Sequence, residues 1–150
     1  MEQPADILLT IRAMVKLYEG LAGQVCERYQ LSQLEANIII FLDINPDRNT
    51  VGNIAELRRL SKGNVSCAAD NLIRRSLLRR EQDSRDRRRV HLYLMPDAAP
   101  IVQEIRQMRE QFRRQVFDGF TTEETTQFFD FTNRILENVS RPPAEQRPGL

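Results

Sequence analysis

Between positions 58 and 89 of this 150-residue chain, eleven basic side chains stand against four acidic ones. The bases are Arg58, Arg59, Lys62, Arg74, Arg75, Arg79, Arg80, Arg85, Arg87, Arg88 and Arg89; the acids are Asp70, Glu81, Asp83 and Asp86. The local balance is +7, which leaves −6 on the remainder although the whole chain carries only +1. A one-sided positive field of this kind suits a polyanionic partner, nucleic acid above all. A solvated charged surface would give the same count, so charge alone leaves both readings open. Arginine supplies 20 of the 22 basic residues, and its planar fork favours bidentate contact with phosphate or guanine.

Other chemistry is poorly provided for. The single histidine, His91, excludes sites built on several imidazoles, so His-rich zinc sites go and most triad hydrolases fit badly. Two cysteines, Cys26 and Cys67, do not make a disulfide scaffold. A DNA-processing enzyme would need a carboxylate cluster for metal or a positioned nucleophile and base, whereas the acids of the basic stretch are few and sit beside arginines. No enzymatic activity, cofactor or metal is therefore expected. The start, MEQPADILL, lacks the basic and apolar runs of a secretion signal, and the longest apolar stretch, Ile38 to Leu42, is far short of a membrane span. A soluble, cytoplasmic, thiol-reduced protein without a membrane partner is expected. At this length and 41% hydrophobic content, one compact domain can bury a core without staples.

The elements that must carry the basic residues can be read from periodicity. Ile7, Ile11, Met14, Val15, Tyr18, Leu21, Ala22 and Val25 recur at helical spacing to about Tyr29. Ser32 with Glu35 is a capping box that opens a second helix, Gln33 to about Ile44, which Asn45-Pro46-Asp47 ends. Ile54, Leu57 and Leu60, then Val65, Ala69, Leu72 and Ile73, give two short helices broken near Arg59 and Leu60, with Ser61 placed to cap the second. That is a helix-turn-helix. After Arg75 the period becomes two. Leu78 and Arg80 lie on one arm, and Val90, Leu92 and Leu94 alternate with His91 and Tyr93 on the other, around a DSRDRRR loop. Helical spacing returns from Asp97, expected as a cap with Pro100 in the first turn, through Ile101, Ile105, Met108, Phe112, Val116 and Phe117. Thr121 with Glu124 opens a last helix to Val139, and 141–150, rich in proline, reads as a disordered tail. The fold class is mainly α with a small β-hairpin wing.

The stretch IAELRRLSKGNVSCAADNLIRRSLLRR followed by DSRDRRRVHLYL resembles the MarR (multiple antibiotic resistance regulator) family of winged helix-turn-helix transcriptional regulators. That family's wing typically reads D-x-R-D-x-R-x-x-x-L-x-L, and Asp83, Arg85, Asp86, Arg88, Leu92 and Leu94 match it. With the order of flanking helices the resemblance covers roughly residues 5 to 140. It implies a single MarR-like domain in which 33–95 form the winged helix-turn-helix and 5–30 with 97–140 form a helical dimerisation region from both termini. The implied partners are double-stranded DNA carrying an inverted-repeat operator, a second copy of the chain, and a small-molecule effector.

On that reading the inward side of the recognition helix is Val65, Ala69, Leu72 and Ile73, and the DNA-binding residues are Ser61, Lys62, Gly63, Asn64, Ser66, Cys67 and Arg74 with Arg85, Asp86, Arg87 and Arg88 of the wing. Lys62 can donate to guanine, Asn64 can pair with adenine, Gly63 would let the backbone approach closely, and the serines can donate to phosphate. Ser61 and Asn64 could equally be cap residues. Arg74 is expected to neutralise Asp70, four residues earlier. One wing arginine is expected in a narrow minor groove, Arg88 by match to the motif, with Asp86 orienting its guanidinium; a loop-stabilising ion network is the alternative. Ser76, where the family commonly has glycine, makes the turn into the wing an open question, as does Met95 in place of a capping Thr. Oxidation of Cys67 at the DNA face would be one switch, although cysteine more often fills a core, and a ligand pocket near Tyr18, Phe41 or Arg58 would be another. The expected function is a homodimeric repressor of nearby genes, released by a small ligand or by oxidation. The competing expectation is a winged-helix interaction module that no longer reads DNA sequence.

Overall fold

The computed structural model describes residues 4–143, and seven of the ten positions of the expected tail, 144–150, lie outside them. In chain order the elements are α1 (Pro4–Tyr29), α2 (Gln33–Ile44), α3 (Val51–Leu57), α4 (Lys62–Arg74), β1 (Leu78–Gln82), β2 (Val90–Leu94), a 3-10 turn (Pro96–Ala98), α5 (Ala99–Val116) and α6 (Thr122–Ser140). The chain divides into two compact units between Phe112 and Arg113.

In the first unit, α2 is the hub. Ile38 and Ile39 are completely buried and Ile40, Phe41 and Leu42 nearly so, because this helix is apolar on almost every side and needs neighbours all round. It packs against α1, α4 and β2, and its Ser32–Glu35 capping box forms as expected. Ile54, Val65, Leu72, Leu78, Leu92 and Ile105 complete a core shared by helix-turn-helix, hairpin and the first half of α5. Two ion pairs anchor α5: Arg106 grips Asp43 of α2 with two hydrogen bonds, and Arg28 of α1 meets Glu104.

The apolar stripe of α5 could be covered by a second copy or by the chain itself, and over Ile101, Val102, Ile105 and Met108 the chain supplies the cover. What remains uncovered lies elsewhere. At the start of α1, Ile7, Leu8, Leu9, Ile11 and Val15 are exposed, and α6 has no buried residue although Phe131, Ile135, Leu136 and Val139 share it. In the second unit, Phe117 packs its ring against Phe120, Phe128 and Phe129, with centroids 5.2 to 5.7 Å away.

Three helices end alike. At the ends of α1, α3 and α4 the chain enters the left-handed region at Gln30 (φ 53°), Arg59 (φ 53°) and Ser76 (φ 60°), and a leucine follows each time. Leu31, Leu60 and Leu77 send their N–H back to Cys26, Ala55 and Leu72, closing Schellman turns at 2.8 to 3.0 Å. The open question at Ser76 is thereby answered. Serine does take the glycine-like conformation, because burying Leu77 and closing two hydrogen bonds offset a cost of about 1 to 2 kcal/mol.

The expected cap at Asp97 is not used. Met95 occupies the N-cap position without a side-chain hydrogen bond, Pro96 opens the 3-10 turn, and Asp97 lies inside it. Completely buried Ala98 pins this turn to the core, which moves the start of α5 to Ala99 and leaves Pro100 in its first turn, as expected.

Candidate nucleic-acid interface

The recognition helix is positioned from beneath. Val65, Ala68, Ala69 and Leu72 of α4 face the core, which turns Lys62, Gly63, Asn64, Ser66, Cys67 and Asp70 outward on the opposite side. Ala68 joins the inward set, and Ile73 is only half-buried. Ser61 caps the helix: its Oγ accepts the Asn64 N–H at 3.1 Å, so the cap role is met while the Asn64 side chain stays exposed. A Cβ added at Gly63 would meet nothing within 4 Å, so the space outside it is open to a partner.

The hairpin is antiparallel and in register from Leu78 opposite Leu94 to Gln82 opposite Val90. Its polar face carries Arg79, whose guanidinium lies 4.1 Å from the Tyr93 ring centroid and bonds Glu81. The connecting loop is built on carboxylates that accept backbone N–H groups. Asp83 Oδ1 takes the N–H of Arg85 (2.8 Å) and of Asp86 (3.0 Å), and Asp86 Oδ1 takes that of Arg88 (2.9 Å). Gln82 donates to the Arg87 carbonyl at 2.8 Å. Asp86 was expected to orient the Arg88 guanidinium; it orients the backbone instead. The reason is geometric: a short acid two residues before a turn amide reaches that amide sooner than a flexible side chain. The ion-network alternative also fails to describe this loop. Among the described residues, none of the guanidinium groups of Arg85, Arg87, Arg88 and Arg89 forms an ion pair, and all four residues are exposed.

Lys62 and Ser66 of α4, Asp86, Arg88 and Arg89 of the wing, and the start of α3 line one open groove of about 710 Å³. Arg74 is not brought to it. It sits twelve residues after Lys62, about 18 Å along the helix, and bonds Asn71. Asp70 accordingly pairs not with Arg74 but with Arg80 of β1, at 3.4 Å, because β1 runs beside the end of α4.

Two residues that sequence reading passed over hold the wing to the rest. Buried Asn49, between α2 and α3, accepts the Leu92 N–H on its carbonyl (2.8 Å) and meets His91 Nδ1 at 2.7 Å with its side chain. His91 Nε2 meets Asp83 Oδ2 at 2.8 Å. The His91 hydrogen bond, with the two backbone donors, holds the Asp83 carboxyl far below the usual carboxylate range. The only advance signal was a lone histidine on the wing strand.

The two cysteines divide. Cys26 is buried and its thiol is pushed up by burial and by Glu35, which suits packing; Cys67 is exposed on the outward face of α4. Of the residues named for a ligand pocket, Arg58 stacks over Phe41 at 5.6 Å. Tyr18 meets Phe112 edge-on, and burial raises its hydroxyl against the opposing pull of Arg109 and Arg58.

A helix-turn-helix whose second helix presents a polar outer face, joined directly to a two-stranded arginine-tipped hairpin, is a winged helix-turn-helix. Residues 29–89 match the MarR family. The chain is 25% identical over 141 residues to the HTH-type transcriptional regulator YsmB of Bacillus subtilis, covering 94% of this chain and 96% of that protein. Among solved structures it resembles Staphylococcus aureus MepR in its DNA-binding conformation (TM-score 0.81, 18% identity, 89% of this chain and 98% of that one). It also resembles a MarR family regulator from Silicibacter pomeroyi (TM-score 0.77, 19% identity, 95% and 99%) and the S. aureus MepR–DNA complex (TM-score 0.71, 19%, 92% and 99%). At these identities the structures speak to the fold. The chain is similar to MarR family regulators, in sequence over residues 29–89 and in fold over most of its length. Among the described residues, no helix is long and apolar enough to cross a membrane.

Proposed function

We propose that this chain is a homodimeric, sequence-specific DNA-binding regulator that represses nearby genes, with the amino-terminal half of α4 in the major groove and the wing in the adjacent minor groove. The observation that carries this reading is the set of four exposed wing arginines, none in an ion pair among the described residues, two of which, Arg88 and Arg89, line the same groove as Lys62 and Ser66. Their uncompensated charge is what an electronegative minor groove attracts. Ser61, Lys62, Gly63, Asn64 and Ser66 act at the helix start, with Cys67 beside them; Arg85, Asp86, Arg87 and Arg88 act from the wing, and Arg74 contacts phosphate at most. Regulators of this architecture include MepR, whose structure has been solved on DNA.

The dimer is inferred from the large apolar residues left exposed at the start of α1 and, separately, along α6, faces of the kind that partners cover. Regions 5–30 and 97–140 are assigned to dimerisation on that basis, the first half of α5 excepted. An effector that releases DNA must bind the competent and incompetent dimers unequally. The stacked Arg58–Phe41 pair and the partly buried Tyr18 favour a small aromatic acid.

The test is selection of bound duplexes from a random DNA library at near-physiological salt. Enrichment of an inverted repeat with half-site centres about 10 bp apart is expected. A folded dimer that enriches nothing would be a partner-binding module instead.

A further inference from the structure

We propose that His91 is a positioning residue for the wing: its ring, carrying a proton on each nitrogen, bridges Asn49 and Asp83 and so makes the wing's hold on DNA depend on pH. This rests on the DNA-binding reading above. The geometry is specific. Nδ1 faces Asn49 Oδ1 at 2.7 Å and Nε2 faces Asp83 Oδ2 at 2.8 Å, with three-quarters of the His91 side chain out of solvent. With the Asn49 amide oriented this way both facing atoms are acceptors, which a doubly protonated ring satisfies; with the amide turned over, a neutral ring accepts from Asn49 Nδ2 instead. Asp83 can only accept while ionised. A neutral ring therefore keeps its one proton on Nε2 and turns a bare lone pair on Nδ1 toward Asn49 Oδ1. The Asn49 contact is then lost, or the amide must turn over.

The consequence travels through bonds already described. Asp83 uses its second oxygen to hold the N–H groups of Arg85 and Asp86, and Asp86 holds that of Arg88. Asn49, on the other side, is anchored to β2 through the Leu92 N–H, and its neighbour Thr50 bridges His91. The ring thus fastens the arginine loop to the α2–α3 connection. Other charged groups border it. Glu81 of β1 stands in the cross-strand position, tied to Arg79, and Tyr93 lies 6.5 Å away on β2. Arg89 precedes it in the loop, Asp47 and Arg48 precede Asn49, and α3 brings Glu56 to the groove beside Arg89. On α2, Asp43 is taken by Arg106.

The sign follows from linkage. An arrangement that needs the doubly protonated ring is favoured at low pH and weakened as pH rises. The chain has one histidine, so His91→Gln removes its only imidazole.

Two measurements on the full chain test it. The first is amide hydrogen exchange of Asp83, Arg89 and Leu92 without DNA, expressed as protection over the intrinsic rate, between about pH 5.5 and about pH 8. The second is affinity over the same range for the duplex recovered by selection, or for a random-sequence duplex if selection recovers none. Protection and affinity should each fall about fivefold or more in the wild type as pH rises. His91→Gln, which keeps the amino terminus, should be flat in both. Asn49→Asp fixes an anion beside the ring and should shift the fall to higher pH. A wild type flat in protection, or a His91→Gln slope equal to wild type, overturns the proposal. If His91→Gln does not fold, an unshifted Asn49→Asp profile overturns it. Loss of all DNA binding with the exchange profile as expected would refute the DNA-binding reading while leaving the clamp itself standing.

Discussion

Arg88→Ala removes a guanidinium that is exposed and, among the described residues, in no ion pair. No described residue forms an ion pair with that charge, so its approach to DNA should displace close to one condensed counterion. Each neutralised phosphate contributes about 0.9 to the slope of log affinity against log salt, and a dimer brings two wings, so the slope should flatten by about 1.8. Over a fourfold change in salt, from about 50 mM to about 200 mM, the defect of the variant should then shrink about twelvefold. A single wing on DNA would give only about 3.5-fold, so the same experiment counts the wings engaged. Asn64→Ala is the matched control. Its side chain is uncharged, so its salt line should run parallel to wild type while discrimination at one base pair falls by roughly 1 to 3 kcal/mol. Fluorescence anisotropy with a labelled selected duplex across a salt series reads all of this. An Arg88→Ala line parallel to wild type would refute the assignment of that charge to the DNA.

Three further outcomes are expected. Gly63→Ala should raise stability by up to about 1 kcal/mol in urea titration, because the added Cβ meets nothing and helix propensity improves, yet it should weaken duplex binding by filling the space a backbone would occupy; unchanged binding would remove Gly63 from the interface. Ser76→Gly should relieve about 1 to 2 kcal/mol of left-handed strain, offset by about 0.5 to 1 kcal/mol of added unfolded-state entropy. Thermal melting should rise by a few degrees, roughly 2 to 4 °C per kcal/mol, and a lower midpoint would contradict the strain. Ile135→Asp, at a position 60% exposed in the single chain, should cost an isolated monomer no more than about 0.5 kcal/mol but abolish the dimer in sedimentation velocity; a persisting dimer would place the interface off this face of α6.

The fold was legible wherever a local signal sufficed. Ser32, Ser61 and Thr121 each accept the N–H three residues on, because a cap needs only one side chain and its own helix. The period-two pattern around DSRDRRR was enough for the hairpin, since alternation is a property of a strand by itself. The cap of α3 was missed because Thr50 closes its box with Asn53 rather than the usual Glu or Gln. Burial was legible in α2, which is apolar all round. It was left open in α5, because an amphipathic stripe shows that something covers it but not whether the cover is the same chain.

For the site, residue types were enough to mark an arginine-tipped hairpin after a helix-turn-helix, while Lys62, Asn64 and Arg88 stand as proposed DNA contacts, the last by match to the family motif. Which acid answers which base was not readable from spacing. Asp70 chose Arg80 over Arg74, and Asp86 chose a backbone N–H over a guanidinium, because those choices depend on which atoms the folded chain brings within 3 to 4 Å. The same holds for Asn49 and His91, 42 residues apart and joined by a hydrogen bond of 2.7 Å. Local pattern, charge and motif are carried by neighbours in the chain, so sequence alone determined the winged architecture and its positive tip. Pairing across the fold is carried by distance in space, so only the tertiary structure decided that the arginines of the wing loop, among the described residues, form no ion pair, and what holds that loop in place.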